Sequence, residues 1–345
     1  MHDTMPDMCD MPDIAISQLT TIRWDLAADL ECLREQGFST LAMWRPKLSD
    51  RGVAATRAAL AEAGVRCSSL HCAGGFTGVD GRTFRESLAD ADDAIAEAAE
   101  LAAPVLIVHS GCRGGHTRSH AGRLLREALA ILGPTARRRG VVLALKPVHP
   151  AAACGCSFLT DLAETLELVE SIGDPAIRLS LDTWQFEFQE EIERLLPRLV
   201  AAVAIVQVAD RSGPPTLEFD RLPPGYGGLP LETIVSLLWE HGYRGDFEFD
   251  PVGETVELLG YAGTVGEILR VTDSWRRQRI GQPGAMTVDQ ETTGKCANAA
   301  SPGLPAAAVP VANGHVTGPQ RPPFHLRGGP GSRRSQASSQ AVSRG

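Results

Sequence analysis

A series of short aliphatic or β-branched runs in this chain each finish on a side chain that can bind a ligand, polarise it or move a proton. TLAMW (40–44) ends on Trp44 beside Arg45, CSSLH (67–71) on His71, and VLIVHS (105–110) carries His109. VVLALKP (141–147) carries Lys146, with His149 three residues on, and IRLSLDT (177–183) delivers Asp182, followed by Gln185. VAIVQVAD (203–210) supplies Gln207 and Asp210, and DFEFDPV (246–252) supplies Asp250. Carboxylate and amide oxygens can hold a cation, an ammonium can polarise a carbonyl, and imidazole titrates near pH ~6.5. His71, His109 and His149 are therefore candidate proton carriers. Trp44 and Arg45 suit a sugar or phosphate pocket, and equally a packed indole and a surface ion pair.

The last run is the most informative. Strict alternation in DFEFD puts Phe247 and Phe249 on one face and Asp246, Glu248 and Asp250 on the other. The phenylalanines can pack against a helix layer while the acids point inward, where they need partners. Asp250, nearest the strand end, is the functional candidate; Asp246 and Glu248 are read as structural.

Such side chains meet only if the runs end at one place. Counting IAISQL (14–19), eight strand candidates alternate with segments of helical periodicity between about residues 14 and 276. Three of the helices, 26–37, 52–64 and 231–242, end on a Gly suited to a left-handed C-cap. Eight βα units fit a closed barrel or an open doubly wound sheet. No Gly-x-Gly-x-x-Gly follows the first strand, which counts against a dinucleotide-binding sheet. The expected fold is a single (β/α)8 TIM barrel over residues 13–280, whose strand ends converge on one mouth. Residues 1–12 read as a flexible N-terminus. Residues 281–345, rich in Pro, Gly, Ala and Ser, read as a disordered tail, with a partner-docking segment as the other reading.

Bulk properties remove several function classes. With 43% hydrophobic residues the chain can build a sizeable core, and no apolar run approaches the ~20 residues of a membrane span. The net charge is −9 although the tail has a basic excess, so the body is acidic and nucleic acid is not expected as the main partner. The N-terminus lacks the blocks of a secretory signal, so a cytoplasmic protein with eight reduced cysteines is expected. Cys154-x-Cys156 has no second pair to complete a zinc site and reads as a loop. There is no Gly-x-Ser-x-Gly elbow for a serine hydrolase, and GYGGLP (225–230) lacks the Lys-Ser/Thr ending of a P-loop.

The runs MWRPKL, CSSLHCAGGFTG, LALKPVHP, LSLDTW, VQVAD and GYRGDFEFDPVG occur in that order. Together, over about residues 14–276, they resemble the sugar phosphate isomerase/epimerase family of xylose-isomerase-like barrels. The resemblance implies isomerisation, epimerisation or dehydration (lyase chemistry) of a small polyhydroxylated, carbohydrate-like carbonyl compound, and a homodimer. It also implies one divalent metal (Mn, Mg, Co or Zn), held by a carboxylate after strand five, Asp after six, His or Gln after seven and Glu after eight. Asp182, Gln207 and Asp250 match three of those metal positions, Asp250 being one methylene shorter. The strand-five position is Lys146, and Gln185 stands where a His is usual, as a candidate substrate contact.

A protonated lysine has no lone pair to give a metal. Four readings of Lys146 follow. Its ammonium takes the metal's place between Asp182 and Asp250 and acts as a fixed electrophile. It is a Schiff-base nucleophile, which two neighbouring carboxylates disfavour by holding it protonated. The barrel has lost catalysis and binds or regulates a partner. Or Lys146 swings away, and Asp182, Gln207, Asp250 and a histidine or water hold an ion.

Overall fold

The computed structural model describes residues 13–280 apart from 80, 154, 187–189 and 217–219. The N-terminal segment 1–12, the tail 281–345 and Cys154 lie outside the described residues. Eight parallel strands close into a barrel in chain order, the last pairing with the first. They are β1 (Ile14–Ser17), β2 (Thr40–Trp44), β3 (Arg66–Gly74), β4 (Val105–His109), β5 (Val142–Leu145), β6 (Ile177–Asp182), β7 (Val203–Val208) and β8 (Phe247–Phe249). The outer layer comprises α1 (Leu26–Gln36), α2 (Val53–Ala63), α3 (Phe84–Glu100), α4 (Arg118–Arg138), α5 (Leu162–Ile172), α6 (Glu190–Ala202), α7 (Leu231–Glu240), α8 (Glu254–Leu259) and α9 (Tyr261–Ile280). This is the TIM barrel that the alternation of runs predicts. Among the described residues no helix is long and apolar enough to cross a membrane.

Element boundaries follow local chemistry. Gly37 (φ 76°) and Gly64 (φ 66°) close α1 and α2 in the left-handed region, while α7 stops at Glu240 with His241 as its C-cap. A reciprocal capping box of Thr83 and Glu86 starts α3. β5 ends two residues before the expected Pro147, which has no N–H to extend a ladder. Lys146 nevertheless donates its backbone N–H to the Val108 carbonyl (3.0 Å), and Asp250, one residue past β8, donates to Val208 (3.2 Å).

Side-chain alternation sorts the strands into two apolar layers. Leu106, Val108, Phe247 and Phe249 belong to the large cluster between strands and helices. Phe247 meets Tyr243 edge to face, with ring centroids 5.2 Å apart, and removing either buried phenylalanine side chain would cost about 3–5 kcal/mol. Val105, Ile107, Ala144 and Ile205 form a separate, smaller cluster. Period-two geometry then turns His109, Lys146 and Gln207, each two residues beyond one of these, to the same inner side. Glu248 is buried between its outward phenylalanines and accepts from Ser68 Oγ (2.8 Å). Asp246 is bound by Arg66.

β3 runs three residues past its predicted end, to Gly74. A Cβ there would lie 1.9 Å from the His109 carbonyl oxygen, and φ is 131°, so only glycine permits this approach of β3 to β4. The close contact sets His71 against His109.

Candidate functional site

The β5–β8 side of the mouth is a compact ionic floor. Lys146 Nζ donates to Gln207 Oε1 (2.6 Å) and contacts Asp182 Oδ2 (2.8 Å). Gln207 Oε1 also accepts from Ser180 Oγ (3.2 Å), and Gln207 Nε2 faces Asp250 Oδ2 (3.4 Å). Register places these groups side by side, with Asp182 opposite Gln207 and Gln207 opposite Glu248.

Lys146 does not lie between the two carboxylates, as the lysine-for-metal reading requires. That place is taken by Arg221. Its Nη1 and Nη2 donate to Asp182 Oδ2 (3.0 Å) and Oδ1 (3.1 Å), Nη2 also donates to Asp250 Oδ1, and Nε donates to the Asp250 carbonyl (3.2 Å). A planar fork of five N–H donors spans two carboxylates in a way that a compact ammonium cannot. Trp184 lies under the guanidinium, 5.4 Å from its ring centroid to Cζ.

Arg221 arrives from a segment after β7, fixed by antiparallel bridges Asp210↔Leu222 and Arg221↔Val252. No motif in the sequence marks it among the other arginines. Asp210 supplies the anchorage, its carboxylate accepting from the N–H groups of Gly225 (3.0 Å), Gly227 (3.0 Å) and Leu229 (2.9 Å). A Cβ on Gly227 would lie 2.4 Å from Asp210 Oδ1, so the Gly-rich run is shaped to wrap this carboxylate.

Burial alone would raise the Asp182 carboxyl, but Arg221 and then Lys146 outweigh it and hold Asp182 well below the usual carboxylate range. Burial pushes Asp250 up, to about 6, against the pull of Arg221. Arg221 loses solvation yet is held above its ordinary value by Asp182 and Asp250.

Across the mouth the chemistry is neutral. His71 Nε2 and His109 Nε2 are 3.2 Å apart, and the buried Nδ1 of each ring has no hydrogen-bond partner. Burial, aided by His109 and Lys146, lowers His71 well below 6.5; burial and then Lys146 lower His109 to about 3. Both rings are uncharged at neutral pH, so one Nε2 carries the shared hydrogen and the other accepts it.

The other expected residues divide. Trp44 pairs with His71 across β2 and β3, at the mouth. Gln185 is buried, and its Oε1 accepts from the His149 N–H (2.8 Å), while His149 Nδ1 accepts from the Ala151 N–H (3.2 Å). Arg45 turns to α3 and forms ion pairs with Asp90 (2.8 Å) and Glu97 (2.6 Å), so its guanidinium is committed there. Beyond the ends of β4 and β5 lies an open cleft of about 540 Å³ lined in part by Arg113, Ala151 and Phe158.

A divalent ion needs lone pairs converging on one point. Here those of Asp182, Gln207 and Asp250 converge on an ammonium and a guanidinium, so the residues present do not fit the metal that the family resemblance implies. His71, Cys72 and His109 do place one ligand atom each within 4.8 Å of one another. Burial raises the Cys72 thiol to about 11, however, and neither imidazole has the outer partner that orients a metal-bound ring.

Residues 30–258 match the family described as the xylose isomerase-like TIM barrel. The chain is 29% identical over 160 residues to D-psicose 3-epimerase of Enterocloster bolteae, covering 46% of this chain and 45% of that protein. It is 29% identical over 133 residues to inosose isomerase of Halalkalibacterium halodurans, covering 37% and 45%. The chain thus spans less than half the length of these curated relatives. Among solved structures, protein SMc04130 of Sinorhizobium meliloti 1021 superposes with a TM-score of 0.70 at 21% identity, over 76% of this chain and 98% of the other. The IOLI protein with a bound zinc atom gives 0.67 at 16% identity, over 77% and 99%. An L-ribulose 3-epimerase gives 0.63 at 18% identity, over 79% and 96%. These superpositions show the shared fold.

Proposed function

The chain belongs to the xylose isomerase-like TIM barrel family, and we propose that it is an isomerase or epimerase of a small polyhydroxylated carbonyl compound, bound at the mouth over Lys146, Asp182, Gln207 and Asp250. The observation that carries this reading is the pairing of a fixed cationic floor with two uncharged imidazoles on the opposite side of one mouth. Support also comes from the epimerase and isomerase activities in the names of its relatives.

The chemistry divides between the two sides. The Lys146 ammonium polarises the substrate carbonyl and stabilises the charge that develops on its oxygen. When substrate enters and the Nε2···Nε2 bond opens, the Nε2 lone pair of the ring that had accepted it removes a proton from the carbon next to the carbonyl. The C–H electron pair forms the enediolate double bond, and the carbonyl π pair moves onto oxygen. Return of the proton to the opposite face gives an epimer; return to the former carbonyl carbon, with a hydroxyl proton shift, gives an isomer. Trp44 lies beside His71 as a sugar-stacking surface, and His149 with Gln185 closes the β5–β6 edge. The dehydratase variant of this chemistry would require the enediolate to expel a neighbouring hydroxyl.

The test is proton exchange. Incubated in deuterium oxide with a panel of ketoses and cyclic polyhydroxy ketones, the protein should place deuterium next to the carbonyl of at least one compound, read by NMR. Lys146→Met should abolish that exchange. A second reading, a binding barrel without turnover, draws on the near-complete mutual pairing of Lys146 and Arg221 with the two carboxylates. Saturable binding of a panel member with no exchange and no product would establish it and sink the enzyme reading.

A further inference from the structure

The donor count on the two buried cations leads beyond that reading. Lys146 has three N–H donors; one is taken by Gln207 Oε1 and one by Asp182 Oδ2. Arg221 has five; Nε serves the Asp250 carbonyl, Nη2 serves Asp182 and Asp250, and one Nη1 hydrogen serves Asp182. Each cation therefore keeps one N–H that no group among the described residues uses. Both side chains are 7% exposed, so each is almost closed in by its partners.

Charge gives the same picture. Two carboxylates facing each other in a buried site require about two positive charges nearby. A divalent ion supplies them in one atom; here Lys146 and Arg221 supply them in two side chains that meet at Asp182. Oδ2 of Asp182 is already shared by both cations, leaving an incoming metal no uncommitted lone pair on that oxygen aimed into the mouth.

We propose that Arg221 and Lys146 jointly replace the family's divalent ion in position and charge, making this barrel floor metal-independent, with one N–H from each cation left to hold a substrate oxyanion. The replacement is a property of the floor itself; only its last clause rests on the proposed isomerase or epimerase chemistry. Arg221 is a second electrophilic residue for that chemistry, delivered by a loop, and its place on Asp182 and Asp250 keeps it from leaving with product.

Metal binding tests the replacement without reference to turnover. Untagged protein is equilibrated with Mn(II), Co(II) or Zn(II), desalted, and its metal content measured by mass spectrometry beside the Asp182→Asn variant. The two should carry the same metal. One equivalent held by the wild type and absent from Asp182→Asn would overturn the proposal. In the converse experiment, the double variant Lys146→Glu with Arg221→Ala, checked for folding by circular dichroism, should gain about one equivalent of Co(II) with a visible absorption band. A folded double variant that binds no more Co(II) than the wild type would also overturn it; if that variant fails to fold, the wild-type comparison decides. Because the exchange assay reads no metal and the titration reads no turnover, either claim can fail while the other stands.

Discussion

On the β5–β8 side of the mouth, two carboxylates and two cations use nearly every donor and acceptor they have. On the β3–β4 side, two uncharged imidazoles share one hydrogen bond and leave both Nδ1 atoms without a partner. The first arrangement resists change, because moving any member exposes another as a buried, unpaired charge. The second carries no charge, so changing it leaves no buried ion unpaired. Static charge and mobile protons are thus kept on different strands of one barrel, and a mutation should act on stability or on turnover according to the side it strikes.

The largest effect tests the ionic side. Arg221→Ala leaves Asp182 and Asp250 facing each other over one remaining cation and should lower unfolding free energy by about 3–5 kcal/mol in urea titration. Arg221→Lys, which keeps the charge but not the fork, should lose less. A loss under 1 kcal/mol in the alanine variant would mean that the floor is not the interlocked unit described here.

The histidine side should respond in the other currency. His71→Gln keeps a hydrogen-bonding side chain and should cut turnover by about 10²-fold or more while leaving the urea midpoint close to the wild type. Equal damage to both quantities would erase the contrast between the two sides.

Acid stability sharpens the same comparison. His71 and His109 have folded-state values below their ordinary 6.5, His109 at about 3, so on acidification the unfolded chain takes up protons first. Their contribution is complete above pH 6.5 and is lost as pH falls below it, for His109 at about 1.4 kcal/mol per pH unit down to about 3. Glu248, raised from 4.5 to about 7 by burial, acts in the opposite sense: its contribution is lost as pH rises between those values. His109→Gln should therefore flatten the acid limb of the stability profile, and Glu248→Gln should steepen it. The smallest effect belongs outside the mouth. Arg45→Ala breaks partly exposed pairs with Asp90 and Glu97 and should cost about 1 kcal/mol or less, with turnover unchanged.

Much of this is legible in the sequence because a β/α unit writes its fold in short-range signals. The DFEFD run announces by alternation which side of β8 packs on helices, and Phe247 and Phe249 lie there. Strand ends are also where to look for chemistry: His109, Lys146, Asp182, Gln207 and Asp250 sit at or beside them, and His71 lies three residues before the end of β3. Arg221 escapes that logic. It belongs to no strand, and its role depends on a chain path fixed by a carboxylate eleven residues earlier, at Asp210. The direction of the Arg45 side chain is a tertiary fact as well, decided by two acids on α3 that lie about fifty residues away in sequence.

The clasp of Asp210 on Gly225, Gly227 and Leu229 has one further consequence. It fastens the start and finish of the excursion carrying Arg221 to the same carboxylate, so that excursion is a cassette. The rest of the staves can stay as they are while the cassette and residue 146 between them decide whether the mouth brings its own positive charge or leaves room for one from solution. A single exchange of that loop, together with residue 146, would be enough to convert a barrel of one kind into the other.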